Sequence, residues 1–138
     1  MPNLTLTPRI RTGPFHDAVM AAGATGFSVY NKLLMPTSYG DLAAEYRRVT
    51  EGVAMWDVSC ERQVQVAGPD ADTCVQYLTA RDLSKMRVGQ GKYVAMCDHQ
   101  GVLLNDPVLM KLSGNRYWFS IADSDMLLWC RAVAFERG

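Results

Sequence analysis

Three β-rich runs stand close together in the second half of the chain, at 92–97, 102–111 and 117–121. Only the turn signals Asp98-His-Gln-Gly101 and Ser113-Gly-Asn115 separate them. Connections this short return the chain antiparallel to itself, because a parallel crossover needs about a dozen residues or more. The segment reads as a meander, and the rest of the chain has to cover one of its faces.

The elements that could do so are legible upstream and downstream. Pro14, then Phe15, Val19 and Met20, then Gly23 predict a short first helix. Residues 26–31 read as a short strand. The stretch 41–51 starts on an acid, carries Leu42, Tyr46 and Val49 at helical spacing and is followed by Gly52, so it predicts a second helix. Residues 53–58 and 62–67 are β-rich runs parted by Ser59-Cys60-Glu61, and Gly68-Pro69-Asp70 opens a third helix through about Thr79. Asp123 or Ser124 caps a last helix over 125–137, which ends at Arg137-Gly138 as dipole and capping rules favour. The order predicts an α+β fold, a mostly antiparallel sheet with helices packed on one face. At 138 residues and 49% hydrophobic composition, one sizeable core is expected, in a single unit spanning 1–138.

Charge and motif content exclude several functions. Fourteen basic residues balance fourteen acidic ones, and no basic run exceeds Arg47-Arg48, so a nucleic-acid partner is not expected. No stretch approaches the roughly 20 apolar residues of a membrane span, and residues 1–15 lack the apolar centre of a signal peptide. Cys60, Cys74, Cys97 and Cys130 form no CxxC pair, and His16 and His99 are not near them at ligand spacing, so no metal site is expected. Buried reduced thiols and a cytoplasmic location are the reading that fits.

One acid stands out. Period two along Val102-Leu-Leu-Asn-Asp-Pro-Val-Leu-Met110 puts Asp106 in a row with Val102, Leu104, Val108 and Met110. A buried carboxylate is costly, so Asp106 either finds donors, titrates with a raised pKa or faces a cavity that a polar ligand fills. Pro107 biases it toward an extended conformation and removes a ladder donor, as at an edge strand or bulge. The pattern leaves open whether Asp106 is functional or simply accepts turn amides, since a bulge changes which face a residue points to.

Three segments in order carry a family resemblance: Gly52-Val-Ala-Met-Trp-Asp-Val-Ser59, then Gly68-Pro-Asp-Ala71 with Leu78-Thr-Ala-Arg-Asp-Leu83, then Gly91-Lys-Tyr93 with Gly101-Val-Leu-Leu-Asn-Asp106. Together they resemble the tetrahydrofolate-dependent methyl- and aminomethyltransferases, the family of the glycine-cleavage T-protein and the dimethylsulfoniopropionate demethylases. Glu61-Arg-Gln-Val64, Arg81-Asp-Leu-Ser-Lys85, Asn105-Asp-Pro-Val108 and Tyr117-Trp-Phe-Ser-Ile-Ala-Asp-Ser-Asp125 resemble the demethylase branch more closely. The resemblance runs from about Leu4 to Gly138.

The resemblance implies a fold like the N-terminal folate-binding region of those enzymes. It implies a parent protein that moves a methyl group from a small sulfonium or methylamine donor, such as dimethylsulfoniopropionate, to tetrahydrofolate. The alternatives are a glycine-cleavage-type aminomethyltransferase or a non-catalytic folate- or partner-binding module, and whether the chain alone is an enzyme stays open. Asp106 falls where the family's carboxylate lies beside the reactive pteridine nitrogen, and is the implied catalytic residue. Tyr93, Val108, Ser120 and Glu61 fall on cofactor-binding positions and Tyr30 on a substrate contact. Cys60-Glu61 replaces the T-protein's His-Met, which puts lipoyl-linked chemistry in doubt, and Trp56 replaces a Phe expected in the core. Family members are much longer, so the chain is expected to be the N-terminal part of a longer transferase. Alone it is expected to turn over nothing, to bind tetrahydrofolate weakly and to self-associate through an exposed apolar face.

Overall fold

The computed structural model describes residues 7–136. Leu4, where the resemblance begins, and Arg137-Gly138, expected to close the last helix, lie outside the described residues. Contacts divide the chain into two units, Met1–Cys60 and Glu61–Gly138.

In the first unit, helix α1 (His16–Ala21) is followed by strands β1 (Gly26–Tyr30) and β2 (Leu33–Ser38) and helix α2 (Leu42–Glu51). Strand β2 was not expected from the sequence. It pairs antiparallel with β1 through the two-residue turn Asn31-Lys32, both at positive φ (50° and 65°), the turn whose twist matches a hairpin. Helix α2 begins as the sequence predicts: the Asp41 carboxylate accepts a hydrogen bond from the Ala44 amide at 2.9 Å. Its predicted apolar stripe, Leu42, Tyr46 and Val49, is exposed within the structure. Residues 53–58, expected to be a strand, form none, because no neighbour among the described residues takes up their ladder hydrogen bonds. Trp56, expected in the core, lies in this irregular segment and is 63% exposed.

The second unit carries the sheet. Strand β3 (Arg62–Ala67) leads to helix α3 (Ala71–Leu78), then strands β4 (Gly91–Tyr93), β5 (Met96–Cys97), β6 (Leu103–Asn105), β7 (Val108–Ser113) and β8 (Arg116–Ile121), and helix α4 (Met126–Glu136). Four strands form a sheet in the order β3-β8-β7-β4, every pair antiparallel, and β5 and β6 form a separate two-stranded ladder. The predicted runs 92–97 and 102–111 are thus each split. The second parts at Asp106-Pro107, where Pro107 has no N–H to give a ladder while its carbonyl accepts the Val94 amide at 3.0 Å.

Helices α3 and α4 cover one face of the sheet, as the α+β expectation has it. Val75 and Leu78 of α3 and Cys130 and Val133 of α4 join Val64, Leu109, Phe119 and Ile121 of the strands in one buried cluster. Leu109 and Phe119 are fully buried, and each such side chain is worth about 1.5–3 kcal/mol relative to exposure. Cys130 sits among them, and burial pushes its thiol up to about 11. No helix among the described residues is long and apolar enough to cross a membrane.

Candidate functional site

Because helices cover only one face, alternation along the strands assigns the other. Val64, Phe119 and Leu109 form a cross-strand row that faces the core. The neighbouring row, Gln63, Ser120, Val108 and Tyr93, therefore projects from the opposite, open face. Three of the residues assigned by resemblance, Tyr93, Val108 and Ser120, stand in this single row.

The two remaining assigned residues of this unit join them through hydrogen bonds. The Tyr93 hydroxyl donates to the Asp106 carboxylate, and both groups reach the surface. At the other end of the row the Ser120 hydroxyl donates to Glu61 at 2.7 Å and accepts from the Gln63 amide at 3.1 Å. In the next row the Trp118 indole N–H donates to Gln65 at 2.9 Å. The open face thus offers a carboxylate and a 61%-exposed tyrosine ring at one end, the apolar Val108 in the middle and a serine–glutamate pair at the other.

Asp106 does not sit in an apolar row, contrary to the alternation expected from 102 to 110. The buried positions are Asn105, Pro107 and Leu109, the other parity. The run is two strands in two ladders, and apolar residues on both parities hide the true phase. Of the three possibilities that the sequence leaves for this carboxylate, the structure has it taking a side-chain donor, Tyr93, on an accessible face.

Residues that sequence reasoning gave no role support the site from beneath. The Arg81 guanidinium donates to the Tyr93 carbonyl at 2.8 Å, and the Thr79 hydroxyl to the Ala95 carbonyl at 3.0 Å, so the loop after α3 braces β4. Asn105 is only 5% exposed and crosses to the turn after β8. An amide side chain on a buried parity beside an Asp-Pro step is the signal that marks it. Tyr30 belongs to the first unit, where it pairs with Leu33 next to the hairpin turn, and the row described above is built from the second unit alone.

A second polar cluster lies on the helix-covered side. The Tyr117 hydroxyl donates to Asp72 at 2.6 Å, and the Lys111 ammonium lies 3.3 Å from the same carboxylate. The cluster borders a shallow groove of about 560 Å³. Tyr117 first, then Lys111, hold the Asp72 carboxyl below its ordinary range, while burial pushes the Tyr117 phenol up. Among the described residues no group of three His, Cys, Asp or Glu side chains is gathered as a metal site would need.

Residues 15–134 match the family described as the GCVT N-terminal domain. The chain is 44% identical over 130 residues to dimethylsulfoniopropionate demethylase DmdA of Ruegeria pomeroyi, an alignment covering 94% of this chain and 36% of that protein. It is 32% identical over 102 residues to a probable aminomethyltransferase of Halobacterium salinarum, covering 74% of this chain and 28% of that protein. Among solved structures, glycine cleavage system aminomethyltransferase T of Bartonella henselae shares the fold, with a TM-score of 0.74 over 91% of this chain and 36% of that one at 22% identity. The chain spans about a third of the length of the curated relatives it matches.

Proposed function

This chain belongs to the GCVT N-terminal domain family, and from that premise we propose that its protein transfers a methyl group from a small sulfonium or ammonium donor to tetrahydrofolate. The observation that carries the proposal is the open-face row: Tyr93, Val108 and Ser120 in register, with the Asp106 carboxylate at one end and Glu61 at the other.

That arrangement fits a reduced pterin. A flat heterocycle rich in N–H groups needs a carboxylate to accept from it and an aromatic or apolar surface to lie against, and Asp106, Tyr93 and Val108 supply both. When bound, tetrahydrofolate would supply the N–H ring nitrogen that takes the methyl group, the donor's sulfur or nitrogen would leave with the bonding electron pair, and the proton of that ring nitrogen would be released to solvent. Asp106 would accept a ring N–H and stabilise positive charge growing on the attacking nitrogen, an electrostatic role that strengthens as water is excluded. Tyr93 holds the carboxylate so that little reorganisation is needed during the transfer. Val108 would give the ring an apolar floor, and the Ser120–Glu61 pair would hold polar groups of the ligand. Displacement at carbon is otherwise a matter of holding donor and acceptor in line.

Dimethylsulfoniopropionate is the proposed donor, supported by the 44% identity to the Ruegeria demethylase over nearly the whole chain. Cys60-Glu61, in place of the T-protein's His-Met, favours it over a lipoyl-bound aminomethyl group. Anaerobic incubation of the protein with tetrahydrofolate and dimethylsulfoniopropionate should give 5-methyl-tetrahydrofolate and methylthiopropionate by mass spectrometry. Methylene-tetrahydrofolate formed only from an aminomethyl-lipoyl carrier would replace this donor with the glycine-cleavage one. No folate product from either donor would overturn the proposal.

A further inference from the structure

We infer that Asn105 is a positioning residue that aims the Asp106 carboxylate. For its ligand-bound readout this rests on the reading above. The side-chain amide of Asn105 is buried and satisfied at both ends by one short turn: its Oδ1 accepts the Ala122 amide at 3.0 Å, and its Nδ2 donates to the Ser124 hydroxyl at 2.6 Å. Those partners follow β8, which belongs to the four-stranded sheet, whereas Asn105 itself lies on β6 of the separate ladder, paired with the fully buried Met96. The bridge therefore joins the end of one ladder to the neighbouring sheet at the residue just before Asp106.

The other side of Asp106 is fixed as well. Pro107 is buried, and its carbonyl accepts the Val94 amide at 3.0 Å. Proline also keeps Asp106 out of the helical region. Asp106 is thus the accessible residue of a three-residue crossing whose two neighbours are each tied down, and its carboxylate meets the Tyr93 hydroxyl from β4. Loss of the Asn105 bridge frees one end of the crossing, and the carboxylate then loses its fixed relation to Tyr93. Burial of a polar group at that point is costly unless both ends are satisfied, as here they are.

Variants of the full chain separate this role from a merely structural one. Asn105→Ala removes the bridge. Asn105→Asp keeps it, because one carboxylate oxygen accepts the Ala122 amide and the Ser124 hydroxyl turns to donate to the other. Ser124→Ala removes only the outer half, and serves if Asn105→Ala does not fold. The first readout needs no ligand: the side-chain carboxyl ¹³C resonance of Asp106, with and without Tyr93→Phe. Tyr93→Phe should move that resonance in the parent and in Asn105→Asp, and leave it nearly unmoved in Asn105→Ala or Ser124→Ala. The second readout is tetrahydrofolate affinity. Asn105→Ala should weaken it about tenfold, Asn105→Asp should restore it to within roughly threefold, and neither should matter once Asp106 is already Asn. If Tyr93→Phe moves the Asp106 resonance equally in every background, or if Asn105→Ala weakens binding equally with and without the Asp106 carboxylate, the inference is wrong. If the parent binds no tetrahydrofolate, the proposed function fails, while the carboxyl resonance still decides the role of Asn105.

Discussion

The Tyr93 hydroxyl donates a hydrogen bond to the Asp106 carboxylate across the point where β6 gives way to β7, on the face of the sheet that no helix of its unit covers. Tyr93 ends β4, whereas Asp106 lies between β6 and β7, beyond the turn at 98–101. Their union turns an isolated acid into an oriented one.

Tyr93→Phe keeps the ring and removes only that donor. The melting temperature should hold to within about 2 °C, since an exposed polar contact contributes little to folding. The methyl-transfer rate should fall by roughly three- to tenfold, the scale of one positioning hydrogen bond. Thermal melts and single-turnover assays on the same preparation of the whole protein check both.

Adjacent residues of β7 should respond in opposite ways. Leu109 is fully buried, so Leu109→Ala should cost about 2–5 kcal/mol, as a cavity opens beside Phe119. Val108 stands on the open face, so Val108→Ala should cost less than about 1 kcal/mol while weakening tetrahydrofolate binding. Denaturant midpoints measured side by side test the assignment of faces; equal losses would contradict it.

That assignment is where the sequence was hardest to read. The run from Val102 to Met110 carries apolar residues on both parities, so alternation alone could not set its phase, and the split at Pro107 into two ladders removed the assumption of one continuous strand. Strand β2 was missed because Pro36 interrupts Leu33-Leu34-Met35 and Asn31-Lys32 lacks the glycine that usually marks such a turn. Residues 53–58 misled in the other direction: their composition suits a strand, but no neighbour offers a ladder. Composition and turn signals did locate β3, β8, α2 and α3, and with them the α+β class. The row formed by Tyr93, Val108 and Ser120 was not legible from pattern. The resemblance named the residues, and register brings them together. Asn105 and Arg81 act through contacts distant in sequence, which no local pattern displays.

Asp72 makes stability depend on pH. Its carboxyl is held low by the Tyr117 hydroxyl first and then by Lys111, so the contribution is present above the usual carboxylate range and is lost as pH falls through the lowered folded value. Tyr117, pushed up by burial, and Lys111, raised chiefly by Tyr117, contribute below pH 10 and lose that contribution as pH rises further. Asp72 is largely exposed, so solvent screening keeps the effect below about 1 kcal/mol. Asp72→Asn should lower the melting temperature by a few degrees at pH 7, and the difference should shrink progressively as pH falls below the ordinary carboxylate range. A loss that does not shrink as the pH is lowered would place the effect elsewhere.

In the whole protein, Asp106→Asn keeps the volume and an oxygen for Tyr93 to bond, and removes the charge. Folding should change little, while single-turnover methyl transfer should slow by roughly ten- to a thousandfold, about 1.4 to 4 kcal/mol of lost electrostatic stabilisation. A variant that is folded and fully active would remove Asp106 from the chemistry.

The open face itself is tested most directly by following backbone and side-chain NMR resonances of the chain during an anaerobic titration with tetrahydrofolate, a method that registers even weak binding. Saturable shifts should gather on Tyr93, Asp106, Val108 and Ser120, and Asp106→Asn should weaken the apparent affinity by about tenfold or more. Shifts centred instead on Asp72, Lys111 and Tyr117 in the groove beside α3, or unchanged affinity in the Asp106 variant, would contradict the account.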